Sequence, residues 1–184
     1  RYEVIITSSF KNNAKLMRVF NRSGGLPTFK RYLQNFDSQF SVAHLKLDVS
    51  TSLPASINAE TSPPDNYIIT IIFNGNNLER PDLSIARTLI HEMIHAEIFR
   101  KMLSEIRHPS LDNITLTDII NMRDNFPGLA DYYVRWLNNL TPGLTSTSAQ
   151  HQMMAEHYRI IIRNALSEYD NSVPSDIIDA LSWV

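Results

Sequence analysis

The stretch Leu89-Ile90-His91-Glu92-Met93-Ile94-His95-Ala96 decides how this chain is organised. Histidines four residues apart lie on one face of an α-helix, so the imidazoles of His91 and His95 can meet a single metal ion. Glu92 stands one position on, about 100° round the helix, within reach of a water at that metal. Leu89, Ile90, Met93, Ile94, Ala96, Ile98 and Phe99 leave almost no polar face around these three, and a helix apolar all round is a buried one. Buried imidazoles and a buried carboxylate are costly unless paired or ligated. A metal removes that cost. Five-residue patterns with three fixed positions also arise by chance on surface helices, but a surface helix has no reason to be apolar on every side.

Working outward, Tyr67-Ile-Ile-Thr-Ile-Ile-Phe73 is β-branched or aromatic almost throughout and reads as the strongest strand. Asn74-Gly75-Asn76-Asn77 turns the chain, and Asp82 is a good N-cap for a helix that runs from Leu83 to about Ser104 and stops before Pro109. Further back, Ser50 to Asn66 is rich in Ser, Pro, Asn and Asp and reads as a loop. Ser41 to Leu47 alternates, with Ala43, Leu45 and Leu47 on one face and Val42, His44 and Lys46 on the other, as a half-buried strand does. Lys11 to Phe20 has helical spacing, Gly24, Gly25 and Pro27 interrupt it, and Thr28 to Phe36 reads as a second short helix. Downstream come a helical region over Leu116 to Asn138 kinked at Pro127-Gly128, a loop over Thr141 to Ser148, a helix over Ala149 to Tyr169, and a short final helix opened by Pro174. Strands early and helices late predict an α+β fold: a small sheet packed on the buried His-Glu helix, with further C-terminal helices, in one domain over residues 1–184.

Composition narrows the chemistry. The 184 residues suffice for one core, and 43% hydrophobic with 20% charged residues is ordinary for a globular chain. A net charge of -2 offers no basic field, so nucleic acid is not an expected partner. There are no cysteines, so any zinc must be held by nitrogen and oxygen. No apolar run is long enough to span a bilayer. The opening Arg1-Tyr2-Glu3-Val4-Ile5-Ile6 is neither a signal peptide nor a Met start, which suggests a processed product or a piece of a longer chain. That suggestion leans towards a secreted or extracytoplasmic bacterial setting. Oligomeric state is left open.

Leu89 to Ala96 resembles the active-site helix of SprT-like zincin metallopeptidases, and a strand followed by this helix is similar to zincins as well. The resemblance implies a zincin-like domain, one catalytic Zn2+, a peptide or protein substrate, and Glu92 as general base. It also implies that a strand beside the metal helix pairs with extended substrate, with Tyr67–Phe73 the strand near the site. The segment Gln150-His151-Gln152-Met153-Met154-Ala155-Glu156-His157-Tyr158 resembles a motif in uncharacterised SprT-like proteins of Bacteroidetes, whose histidine at the position of His151 is the third ligand. The resemblance covers residues 67–184 and is weak before them. It departs from the better-known SprT-like peptidases, whose third histidine follows the helix closely. The DNA-repair role of some relatives is not carried over to a chain without a basic patch.

A catalytic zinc takes three protein ligands and keeps one position open. Met154, Tyr158, Ile161, Ile162, Ala165 and Tyr169 form the apolar stripe of their helix, and His151 continues it one turn earlier, towards the core. Glu156 shares its side with Gln152, Arg159 and Arg163, a solvent face. His157 lies about 240° round from His151, so the two do not serve one metal. His108, just before Pro109, is the rival third ligand. His44 sits on the polar face of its strand and reads as incidental. Tyr158 shares the face of His151 two turns on and is a candidate oxyanion stabiliser, against the plainer reading of a core tyrosine.

Three functions compete. The first is zinc-dependent peptide hydrolysis, in which metal-activated water attacks a carbonyl and Glu92 relays its proton. The second is a catalytically inactive zincin-fold binding module, against which Glu92 speaks, because a structural metal needs no base. The third, compatible with the first, is a secreted toxin or effector domain using the same site.

Overall fold

A computed structural model describes residues 3–38, 41–106 and 148–183, with side chains over 3–38, 41–104 and 158–183. The fold is α+β, as its order of elements predicts. Three strands run parallel: β1 (Val4–Ile6), β2 (His44–Ser50) and β4 (Ile68–Asn74). A short strand, β3 (Ala59–Thr61), lies antiparallel along the outer side of β4, so the sheet order is β1-β2-β4-β3. Alternation does the sorting. Leu45, Leu47, Ile69, Ile71 and Phe73 are fully buried, and the register pairs Leu45 with Ile69 and Leu47 with Ile71.

Two expectations for this half are corrected. The stretch from Ser50 to Asn66 is not loop throughout, because it contains β3. Composition hides a three-residue strand whose pairing is supplied by β4 and not by its own propensity. Tyr67 belongs to the turn and not to the strand, since Asn66 and Tyr67 have φ of 46° and 65°, in the left-handed region.

The helical stretch expected over Lys11 to Phe20 is two helices. In α1 (Ser8–Lys11) the Thr7 hydroxyl accepts from the Phe10 N–H at 3.4 Å. In α2 (Ala14–Gly24) the Asn13 Oδ1 accepts from the Leu16 N–H at 3.0 Å, so the asparagine caps a new helix and does not continue the old one. α3 (Pro27–Gln34) starts on its proline.

The long helix α4 spans Asp82–Ile106. Asp82 is not its cap. It lies in the first turn, the Ser84 and Ile85 N–H groups reach the Pro81 carbonyl, and the Asp82 carboxylate takes both Nε and Nη2 of Arg18 at 2.8 Å. Between Ile85 and Leu103 this helix is buried almost all round. The sheet covers one side, and α2, α3 and α5 (Ser148–Tyr169) cover the other. On α5, Tyr158, Ile162, Ala165, Leu166 and Tyr169 form the buried stripe, and α6 (Ser175–Leu181) packs Ile178 behind it. Among the described residues no helix is long and apolar enough to cross a membrane.

Candidate functional site

Within the buried run of α4 the interruptions are informative. His91 and His95 are half-buried, while Leu89, Ile90, Glu92, Met93, Ile94 and Ala96 are buried. Solvent therefore reaches the helix at the two imidazoles. Their Nε2 atoms face one another at 2.9 Å, with ring centroids 4.6 Å apart. Glu92 Oε1 lies 4.0 Å from His91 Nε2. The helix period brings these groups together, and close packing of the surrounding apolar side chains holds the helix where it is.

Two nitrogens on one tetrahedral zinc sit about 3.3 Å apart, given Zn–N distances near 2.0–2.1 Å. The observed 2.9 Å is a hydrogen-bond distance and lies a little inside that spacing, so a small turn of either ring brings both nitrogens to one ion. Among the described residues no group of three metal-ligating side chains is found. His151 lies on α5, but its side chain is outside the described residues, as is that of His157. His108 lies outside them altogether.

Glu92 is the buried member, at 6% exposure. Thr61 of β3 donates its hydroxyl to Glu92 Oε2 at 2.6 Å and also lies 3.1 Å from the Glu92 main-chain carbonyl. Burial pushes the Glu92 carboxyl up, the Thr61 bond pulls it back, and Glu60 pushes it up again, leaving it at about 7. A carboxyl in that range can both take and give a proton at neutral pH.

A cleft of about 220 Å³ opens here, lined by Ser56 to Ala59 on one side and by Arg87, Thr88, His91 and Glu92 on the other. Its first wall is held by the last residue of β4 and the turn that follows. The Asn74 amide, fully buried, donates to the carbonyls of Pro54 at 3.0 Å and Ile57 at 2.8 Å. Asn77 donates to those of Ala55 at 2.8 Å and Ile57 at 3.0 Å, and Asn76 to that of Thr51 at 2.9 Å. The fit at Gly75 is tight, since a Cβ there would lie 3.1 Å from Thr51 Cγ2 and 3.2 Å from Val49 Cγ1. Among the described residues β3 is the border strand. Asn58 and Ser62 exchange main-chain bonds with β4, so by antiparallel alternation the main-chain groups of Ala59 and Thr61 point away from it.

The remaining candidates fall elsewhere. Tyr158 is buried, and its hydroxyl is pushed upwards by burial and then by the neighbouring Tyr32 and Glu97. Glu97 lies about 140° round α4 from Glu92, which sets Tyr158 among different neighbours from those of the cleft. His44 accepts the Glu3 N–H at Nδ1, 3.3 Å away, and so helps hold β1 to β2. Thr61 and Arg87 are site residues that the reading of the sequence missed. Thr61 carried no signal, since its partner is distant in sequence. Arg87 did carry one, being the single Lys, Arg, Asp or Glu between Asp82 and Glu92 and lying one turn before His91.

Comparison with protein-family models, with curated proteins and with solved structures gives no match.

Proposed function

We propose that this chain is a zinc-dependent metallopeptidase of the SprT-like zincin kind. The observation that carries the proposal is the convergence of His91 Nε2 and His95 Nε2 at 2.9 Å, with buried Glu92 beside them, at the mouth of a cleft walled by a border strand. His91 and His95 would hold the metal with a third ligand, His151, for which His108 is the rival. A zinc ion there supplies Lewis acidity towards a carbonyl and acidifies water.

The chain's own residues do the rest. The outward main-chain groups of Ala59 and Thr61 can pair with an extended peptide and lay it along the cleft. Glu92 takes the proton of the attacking water and passes it to the amine that leaves as the peptide bond breaks. Thr61 holds Glu92 Oε2, so the second oxygen, Oε1, is the one turned to His91 and to the reaction.

The test is zinc content by elemental analysis, together with cleavage of a proteome-derived peptide library. About one zinc per chain is expected, lost in His91→Ala and His151→Ala and kept in His108→Ala. Glu92→Gln should keep zinc and lose cleavage by about 10³-fold. Cleavage at the wild-type rate in Glu92→Gln would overturn the mechanism, and zinc lost with His108 instead of His151 would move the third ligand.

A further inference from the structure

Arg87 sits on α4 one turn before His91 and lines the same cleft as His91 and Glu92. Its guanidinium is aimed by main chain: Nε donates to the Leu181 carbonyl at 2.6 Å and Nη2 to the Trp183 carbonyl at 2.5 Å. Both acceptors are neutral. A second guanidinium stands behind it. Arg80 donates Nε to the Asn77 carbonyl at 2.8 Å, and Nη1 to the hydroxyls of Ser84 at 3.1 Å and Thr88 at 3.2 Å. Thr88 is itself a wall of the cleft. Arg80 Nη2 is buried and has no hydrogen-bond partner among the described residues. Burial, and then the charge of Arg87, hold the Arg80 guanidinium below its ordinary value.

Some described arginines are neutralised: Arg18 has Asp82, Arg100 has Glu97 and Arg163 has Asp179. Arg22 and Arg159, like Arg80 and Arg87, rest on carbonyls, hydroxyls or rings, but neither Arg22 nor Arg159 lines the cleft. Among the described residues neither Arg80 nor Arg87 has a carboxylate. Two like charges, one of them partly desolvated, are costly to keep together without a counter-charge. The cleft therefore carries Glu92, with Glu60 nearby, and the Arg87 guanidinium on its wall, while Arg80 stands behind Thr88 and lines the neighbouring pocket.

We infer that Arg87, backed by Arg80, forms an anion subsite in the cleft that takes a carboxylate of the bound peptide. Four residues along α4 separate Arg87 from His91, a rise of about 6 Å. That is about two residues of extended chain. The carboxylate thus belongs about two residues from the bond served by Glu92, either as an acidic side chain or as the peptide's own C-terminus. Both sources present the same planar pair of oxygens to a guanidinium fork. The inference rests on the peptide reading of the cleft.

The test is binding of dye-labelled, alanine-rich peptides to the full chain, with and without zinc, at low salt. One pair of twins differs by Asp against Asn and the other by a free against an amidated C-terminus. The acidic twin of one pair should bind about tenfold tighter, and the pair that responds names the source of the carboxylate. Arg87→Gln should remove the preference, Arg87→Lys should keep part of it, and Arg80→Gln should reduce it. Twins that bind alike, or a preference that survives Arg87→Gln, would overturn the subsite. Because the twins are compared first on the unsubstituted chain, an Arg87→Gln chain that fails to fold still leaves the outcome readable. Charge preference in binding without any cleavage would sink the peptidase reading and leave the subsite standing. Cleavage blind to charge does the reverse.

Discussion

At the scale of single residues, the site divides into what a helix period reveals and what it conceals. His91, Glu92 and His95 are legible because four-residue spacing fixes their shared face before any tertiary structure exists. Thr61 is not. Its hydroxyl reaches Glu92 across 31 positions, out of a stretch whose Ser, Pro and Asn content reads as loop. On the proposed mechanism its role gives a clean expectation. Thr61→Val removes the donor that fixes one oxygen of Glu92, so turnover should fall about tenfold, as for loss of a hydrogen bond to a charged group. Zinc content should not change, and Thr61→Ser should restore most of the rate. If Thr61→Val loses zinc as well, Thr61 supports the helix and not the base.

At the scale of elements, polar side chains join pieces that propensity would leave apart. Asp48 of β2 accepts from Thr7 Oγ1 at 2.8 Å, Ser9 Oγ at 2.6 Å and the Val49 N–H at 2.9 Å, and so ties α1 to the sheet. Partial burial pushes its carboxyl up, but the bonds from Ser9, Thr7 and Val49, with Lys46 nearby, outweigh that and hold it below the ordinary 3.8. A carboxyl lowered by folding contributes stability above its unfolded value and loses it as pH falls through the folded one. Between about pH 5 and about pH 2 the melting temperature of Asp48→Asn should therefore fall less steeply than that of the wild type. Asp82, lowered by its bond to Arg18, remains in the variant, so the slope should not vanish. Parallel curves would count against this account. The asparagines at the end of β4 and just after it were legible only as a turn. What they hold was not, because one buried amide serves carbonyls roughly twenty residues upstream, and only the folded wall shows it. Asn74→Ala should cost about 3 kcal/mol in urea unfolding, for carbonyls left without a donor. Asn74→Asp should fare no better, since an acceptor cannot replace a donor.

At the scale of the whole molecule, the core was legible as alternation in β2 and as the stripe of α5, and β4 as a strand by its β-branched and aromatic content, whereas the order of the sheet was not. Nothing in Val4-Ile5-Ile6 announces a strand parallel to one forty residues on, and nothing in Tyr67–Phe73 says that its outer neighbour is β3. The sheet and the first helices meet at Phe73, fully buried and edge-on to Phe10 with centroids 5.9 Å apart. Phe73→Ala should cost about 4 kcal/mol, read from the urea midpoint, because the gap faces sheet and helix together and cannot close. A cost near that of a surface change would show that this corner is loosely packed. Long ties complete the body: Thr28 Oγ1 donates to Glu168 Oε1 at 2.7 Å, and Arg22 stacks on Tyr169 at 4.4 Å. The borders of the sheet have a further consequence. Both outer strands, β1 and β3, are three residues long, while the two inner ones have seven, and exposed glutamates, Glu3 and Glu60, stand at the two borders. Among the described residues, borders this short and this charged present few main-chain bonds along which native copies of the chain could pair edge to edge.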